Sequence, residues 1–125
     1  RSNNRKQIIN SVKNSNDWNN QIDFLNSNTK VKPSWFGMPI LIIKRYINKK
    51  SKFLNYLNKN GIETRPIISG NFLNQPSVKK YKLIEKSKMH NAEYINKKGF
   101  FIGLPTKEIK NKILNKLVKS FEECL

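Results

Sequence analysis

Gly61-Ile-Glu-Thr-Arg-Pro-Ile-Ile-Ser-Gly-Asn-Phe-Leu-Asn-Gln-Pro76 holds, in order, a helix stop, a strand and a polar loop. A glycine after an amphipathic segment takes the left-handed conformation that ends a helix, and Ile62 behind it supplies the apolar contact such caps make. Ile62 to Ile68 is rich in β-branched residues and predicts a strand. Ser69 to Gln75 is loop chemistry, closed by Pro76. Arg65 precedes Pro66, which holds its backbone extended. One guanidinium, several amides and the accessible backbone at Gly70 are gathered in this segment. Such groups suit an anionic or hydroxyl-rich ligand. The candidate ligand-binding residues are Arg65, Ser69, Gly70, Asn71, Phe72 and Gln75. Each has a plainer reading beside it. Arg65 could pair with Glu63, Asn71 could close an Asx turn on its own backbone, and Phe72 could pack into the core.

Upstream of Gly61, Lys49 to Asn60 predicts a helix through Phe53, Leu54 and Leu57. Arg45 to Lys50 reads as a basic turn. Trp35 to Lys44 predicts a strand, nearly continuous in apolar residues from Met38 to Ile43, with Pro39 at its start or on an edge. Trp35 and Phe36 could line a pocket, but two aromatics at a strand entrance more often read as core. Further back, Ile8, Ile9 and Val12 predict a helix over 4–13, followed by the breaker cluster Asn14-Ser-Asn-Asp17. Trp18, Ile22 and Leu25 either line a second short helix or anchor an irregular segment.

Downstream of Pro76, Ser77 is a candidate cap for a short helix through Tyr81 and Ile84. Met89 to Lys97 predicts another helix, ended by Gly99, and Phe100 to Ile102 a third strand. Thr106, after Pro105, is the candidate cap of the last helix. Its apolar stripe is Ile109, Ile113, Leu117 and Phe121, flanked by Leu114 and Val118. These elements predict an α+β fold, a small mainly antiparallel sheet with helices on one face. Residues 1–30 read as a helical lead-in and 31–125 as the domain proper.

The formal net charge of +17 points at first to nucleic acid or an anionic membrane. Only four of the 25 basic residues are arginine, the side chain that phosphate- and base-reading surfaces favour. The lysines are spread along the whole chain among Asn and Ile, as A/T-rich codons would place them. Phe53, Tyr56, Phe100 and Phe101 fall in apolar, core-like patterns rather than on a stacking platform. The sequence therefore argues against a nucleic-acid module. No apolar run is long enough to span a bilayer, and no membrane association is expected. One histidine and one cysteine exclude a Cys/His zinc site built by this chain alone. Cys124 has no internal disulfide partner, which favours a cytoplasmic setting. His90, alone on a predicted helix, reads as an ordinary surface residue. No phosphate-binding glycine loop, dinucleotide fingerprint or nucleophile–base pairing is readable.

The motifs Ser34-Trp-Phe-Gly-Met-Pro39, Gly61-Ile-Glu-Thr-Arg-Pro66, His90-Asn-Ala-Glu-Tyr-Ile95 and Gly99-Phe-Phe-Ile-Gly-Leu-Pro105 stand in a recognisable order. In that order the chain resembles the C-terminal small domain of the DegT/DnrJ/EryC1/StrS family. These are sugar-nucleotide aminotransferases and dehydratases of the fold-type I, vitamin B6-dependent class. Ser69-Gly-Asn-Phe-Leu-Asn-Gln-Pro76 stands where aminotransferase members carry a Tyr/His-rich segment, and is similar to the 3-dehydratase branch.

The resemblance implies pyridoxal phosphate (PLP) or pyridoxamine phosphate (PMP) as cofactor, bound mainly by a large domain outside this chain. That domain would also carry the catalytic Lys or His. No cofactor and no catalytic residue are expected on the present residues. Their implied part is to bind a nucleotide sugar and close the active site, in a homodimer. Arg1 stands where a start Met would, so a longer parent chain is expected. An aminotransferase small domain and a basic nucleic-acid-binding or protein-interaction module are the alternatives.

Overall fold

The computed structural model describes residues 1–18, 20–81 and 87–123. Helix α1 spans Ser2–Lys13, and strand β1 spans Ile22–Phe24. Strand β2 spans Gly37–Ile42, and a tight helical turn, Lys44–Lys49, leads into α2, Lys50–Lys59. Strand β3 is the two-residue Thr64–Arg65. Helix α3, His90–Lys98, runs directly into β4, Gly99–Gly103, and α4 spans Asn111–Glu122. The four strands form one antiparallel sheet in the order β1-β2-β4-β3.

Alternation along the strands sorts the side chains onto two faces. Met38, Ile40 and Ile42 of β2, Phe100 and Ile102 of β4, and Ile22 and Phe24 of β1 turn to one side. There they meet Ile8 and Val12 of α1, Phe53 and Leu57 of α2, and Leu114, Leu117 and Phe121 of α4, in one continuous core. Phe53 lies edge-on to Phe100, with ring centroids 5.8 Å apart, and tilted against Phe121 at the same distance. The antiparallel sheet with helices packed on its core face is the fold class expected from the sequence.

Helix α2 ends as its sequence requires. Gly61 has φ +78°, its N–H bonds to the carbonyl of Asn58, and the N–H of Ile62 bonds to that of Leu57. That pair of bonds is the glycine-terminated Schellman cap. The three carbonyls at the other end of the α3–β4 junction have an unusual partner. Lys50 Nζ donates to Lys97 O and Gly99 O, both at 2.9 Å, and to Asn96 O at 3.4 Å.

Several local expectations differ from the structure. Trp18, Ile22 and Leu25 do not share a helix: Ile22–Phe24 is an edge strand pairing with Leu41 and its neighbours, and Trp18 stacks on Phe24. Only Thr64 and Arg65 of the stretch 62–68 are paired with β4, because Pro66, next in line, has no N–H for the ladder. Thr106 does not cap α4. The helix starts at Asn111 with Lys110 extended before it, and Ile109 anchors the approach loop. Ile113 is 57% exposed and Ser120 is buried, so the inward face of α4 is Leu114, Leu117, Ser120 and Phe121. Ser77 lies within a short 3-10 helix, Pro76–Lys80, whose cap is Gln75. Ile84 and Cys124 lie outside the described residues. Among those described, no helix is long and apolar enough to cross a membrane.

Candidate functional site

The loop after β3 is built by short-range bonds. The N–H of Gly70 closes a turn onto Ile67 O at 2.9 Å, with Ser69 at φ +63° and Gly70 at φ +51°. Two successive left-handed residues are costly unless glycine or fixed contacts support them. Both supports are present. A Cβ at Gly70 would overlap Oδ1 of Asn96 on α3, so the loop backbone seats directly on that helix. Gln75 Nε2 returns to donate to Ser69 O at 3.1 Å. Asn71 Oδ1 accepts from the N–H of Leu73 at 3.2 Å and caps the turn Phe72–Asn74. The Asx reading of Asn71 is thus realised in the structure.

The Asn71 amide is spoken for as well. Asn71 Nδ2 donates to Glu93 Oε2 at 3.1 Å, and Asn74 Nδ2 donates to the same oxygen at 2.9 Å. Lys97 Nζ lies 3.2 Å from the other oxygen, Oε1. These bonds hold the Glu93 carboxyl below its ordinary titration range, first through Asn71, then Asn74 and Lys97. Asn71 is 8% exposed. Phe72 is half exposed and does not enter the core cluster. His90 lines a shallow cleft of about 260 Å³ with Asn71, Leu73, Asn74, Lys88, Met89 and Glu93.

Arg65 stands apart from this loop. Its guanidinium meets Glu63 Oε1, with Nη2 at 2.7 Å and Nε at 2.8 Å, in an exposed pair. It lines a cleft of about 320 Å³ with Phe36, Glu63, Phe101, Gly103 and Leu104. Phe36 and Phe101, tilted with centroids 5.8 Å apart, also border a neighbouring apolar groove of about 290 Å³ that reaches Trp35, Ile67 and Ile68. The structure therefore brings Ser69, Gly70, Asn71 and Gln75 together in the loop that seats on α3, and sets Arg65 in a separate cleft.

Sequence reasoning assigned Phe36 to the core, and the structure corrects this: the ring is 67% exposed at the border of both cavities. Trp35 does pack against the core, under the guanidinium of Arg5 at 4.2 Å. Strand alternation could not have shown this: Phe36 has the parity of core-facing Met38, Ile40 and Ile42, but it lies just before β2 begins at Gly37. Glu93 was not singled out at all. Its spacing from Asn96 and Lys97, i to i+3 and i+4, was the clue to a shared helix face.

No family model matches the chain. The GDP-4-keto-6-deoxy-D-mannose 3-dehydratase of Escherichia coli O55:H7 is 41% identical over 71 residues, 56% of this chain and 18% of that protein. The enzyme of the same description from Yersinia pseudotuberculosis is 32% identical over 83 residues, 66% of this chain and 21% of that protein. A crystal structure of a ColD mutant, a GDP-4-keto-6-deoxymannose 3-dehydratase with bound GDP-perosamine, superposes with a TM-score of 0.79 at 28% identity. It covers 95% of this chain and 29% of that one.

The chain is homologous to part of the GDP-4-keto-6-deoxymannose 3-dehydratases. The match agrees with the small domain of the DegT/DnrJ/EryC1/StrS family that the motifs resemble. This chain spans about a fifth of the length of the curated 3-dehydratases it matches. A sugar aminotransferase, CalS13 of Micromonospora echinospora, shares the fold at a TM-score of 0.68 and 11% identity. The dehydratases share sequence as well as fold with this chain, whereas the aminotransferase shares the fold alone.

Proposed function

We propose that this chain contributes the substrate-binding part of a PLP- or PMP-dependent 3-dehydratase acting on a GDP-linked 4-keto-6-deoxy sugar. The observation that carries this reading is the match, over nearly the whole chain, to ColD with bound GDP-perosamine. Arg65 supplies a guanidinium donor for diphosphate or sugar oxygens, released from Glu63 when a more strongly charged partner arrives. Ser69, the Gly70 backbone and Gln75 present polar groups along the loop, and the exposed ring of Phe72 offers an apolar face. The side chain of Asn71 is turned to Glu93, so its part is to shape the loop. We assign proton transfer to none of these residues.

The cofactor is expected from outside these residues. PLP is bound in the E. coli relative, and there it supplies an electron sink. Two lysines set back from solvent, Lys50 and Lys98, support this expectation. A lysine holding such a cofactor needs a free amine, and Lys50, whose pKa burial lowers, has its amine committed to carbonyls at the end of α3. Lys98 lies over the Tyr94 ring at 3.7 Å. No step of the chemistry is routed through either.

Calorimetric titration of the intact protein with GDP tests the reading. Arg65→Gln is expected to weaken binding roughly tenfold, the loss of one charge-assisted contact. Equal affinity in the two proteins would remove Arg65 from the site, and no GDP binding in the parent would sink the reading. A homodimer is the accompanying proposal. It is supported by the apolar groove around Phe36 and Ile68, the latter 77% exposed, and a strict monomer in light scattering would refute it.

A further inference from the structure

We infer that Glu93 is the positioning residue that fixes the 69–75 loop onto α3. The inference rests on the reading above only in giving that loop a ligand to meet. Four observations converge on it. Both carboxylate oxygens of Glu93 are engaged, Oε2 by the amides of Asn71 and Asn74 and Oε1 by Lys97. Asn96, on the same face of α3, fills the space above Gly70 so closely that no Cβ fits there. Asn71 uses its own oxygen to cap Leu73, so one side chain ties the turn to itself and to the helix. Ser69 and Gly70 hold left-handed conformations that a free loop would not keep.

The physical logic is that of a support held behind a binding segment. A loop of Ser, Asn and Gln gains little from burial and is mobile unless tethered. A single carboxylate accepting from two loop amides joins both ends of the turn to a rigid helix. Charge-assisted bonds of this kind are stronger than neutral ones, and the carboxylate cannot leave without stranding the nine-tenths-buried amide of Asn71. Lys97, one turn further along α3, holds the other carboxylate oxygen. Glu93 thus acts through Asn71 and Asn74.

Hydrogen exchange in the intact protein reads the tether directly, with GDP titration alongside. Glu93→Ala should speed exchange of the amides of residues 70–75 roughly tenfold while leaving 99–103 and 111–122 unchanged. Glu93→Gln keeps one neutral acceptor and should fall between the two, a graded rescue that bulk destabilisation would not produce. Asn74→Asp sets a second carboxylate against Glu93 at an exposed position, and should loosen the same amides without disturbing the core. It decides the matter should Glu93→Ala unfold.

Loop exchange unchanged in both Glu93→Ala and Asn74→Asp would overturn the inference. A loosened loop with a GDP affinity several-fold weaker supports both the tether and the substrate-binding reading. A loosened loop with unaltered GDP affinity leaves the tether standing and removes the loop from the ligand site.

Discussion

At the scale of single residues, Gly61 and Gly70 show two different demands for the absence of a side chain. Gly61 has φ +78° with open space around it, so Gly61→Ala meets only the left-handed penalty. A loss of about 1 kcal/mol is expected in urea denaturation. Gly70 adds a collision with Asn96 to its positive φ. Gly70→Ala should cost more than Gly61→Ala and should also disturb the loop amides, which Gly61→Ala leaves alone. Gly61 was legible in the sequence because a helix stop is a local signal. The Asx turn of Asn71 was legible for the same reason. Phe36 was not, because what lies over the residue just ahead of β2 depends on β4, which arrives more than sixty residues later in the chain.

At the scale of elements, the same division holds. The helices at 2–13, 50–59 and 90–98 follow from periodicity, and so do β2 and β4 from their apolar runs. The edge strands β1 and β3 do not, because each is defined by a partner rather than by its own residues. Lys50 is the clearest case of a tertiary role hidden in a basic sequence. Its amine satisfies carbonyls that end α3 and open β4, which would otherwise lack a side-chain donor. Lys50→Met keeps the stem and removes the donor, and should cost roughly 1–2 kcal/mol in chemical denaturation. Lys116→Met, at an exposed mid-helix position of α4, is the matched control and should be neutral.

The carboxylates make a second prediction at this scale. Glu93 and Glu123 are held below the usual carboxylate range, Glu123 chiefly by the hydroxyl of Tyr56. A carboxyl whose pKa is depressed by folding stabilises the folded state above its unfolded pKa, and that contribution fades as the pH falls through its folded value. Glu122 runs the other way, raised first by desolvation and then by Asp17 and Glu123. Loop protection at 70–75 should therefore fade in acid, below the ordinary carboxylate range. The C-terminal turn of α4 should change less, because Glu122 and Glu123 oppose each other. Exchange measured across a pH series, corrected for intrinsic rates, separates the two regions.

At the scale of the whole molecule, stability comes from one apolar cluster and is opposed by one net charge. Phe53, Phe100 and Phe121 join α2, β4 and α4 at the centre of the core, all three essentially inaccessible. Against this, the formal charge is +17, and the ion pairs of Glu63, Glu93 and Glu123 all lie at the surface. Exposed pairs contribute little each, whereas repulsion among many lysines acts over a Debye length, about 30 Å at 0.01 M salt and about 8 Å at 0.15 M. In dilute buffer that reach is comparable to the size of the fold, so the lysines repel one another across it. Added salt removes this repulsion faster than it weakens the few pairs. The melting temperature of the intact protein should thus rise by several degrees between about 10 mM and 0.5 M sodium chloride, most of the gain coming at the low end where the Debye length shrinks fastest. Sodium chloride rather than sulfate separates screening from the general strengthening of apolar burial that sulfate brings. A melting temperature that stays level or falls across this range would mean that lysine–carboxylate attraction outweighs the net charge, and that the basic surface is built to be neutral in effect.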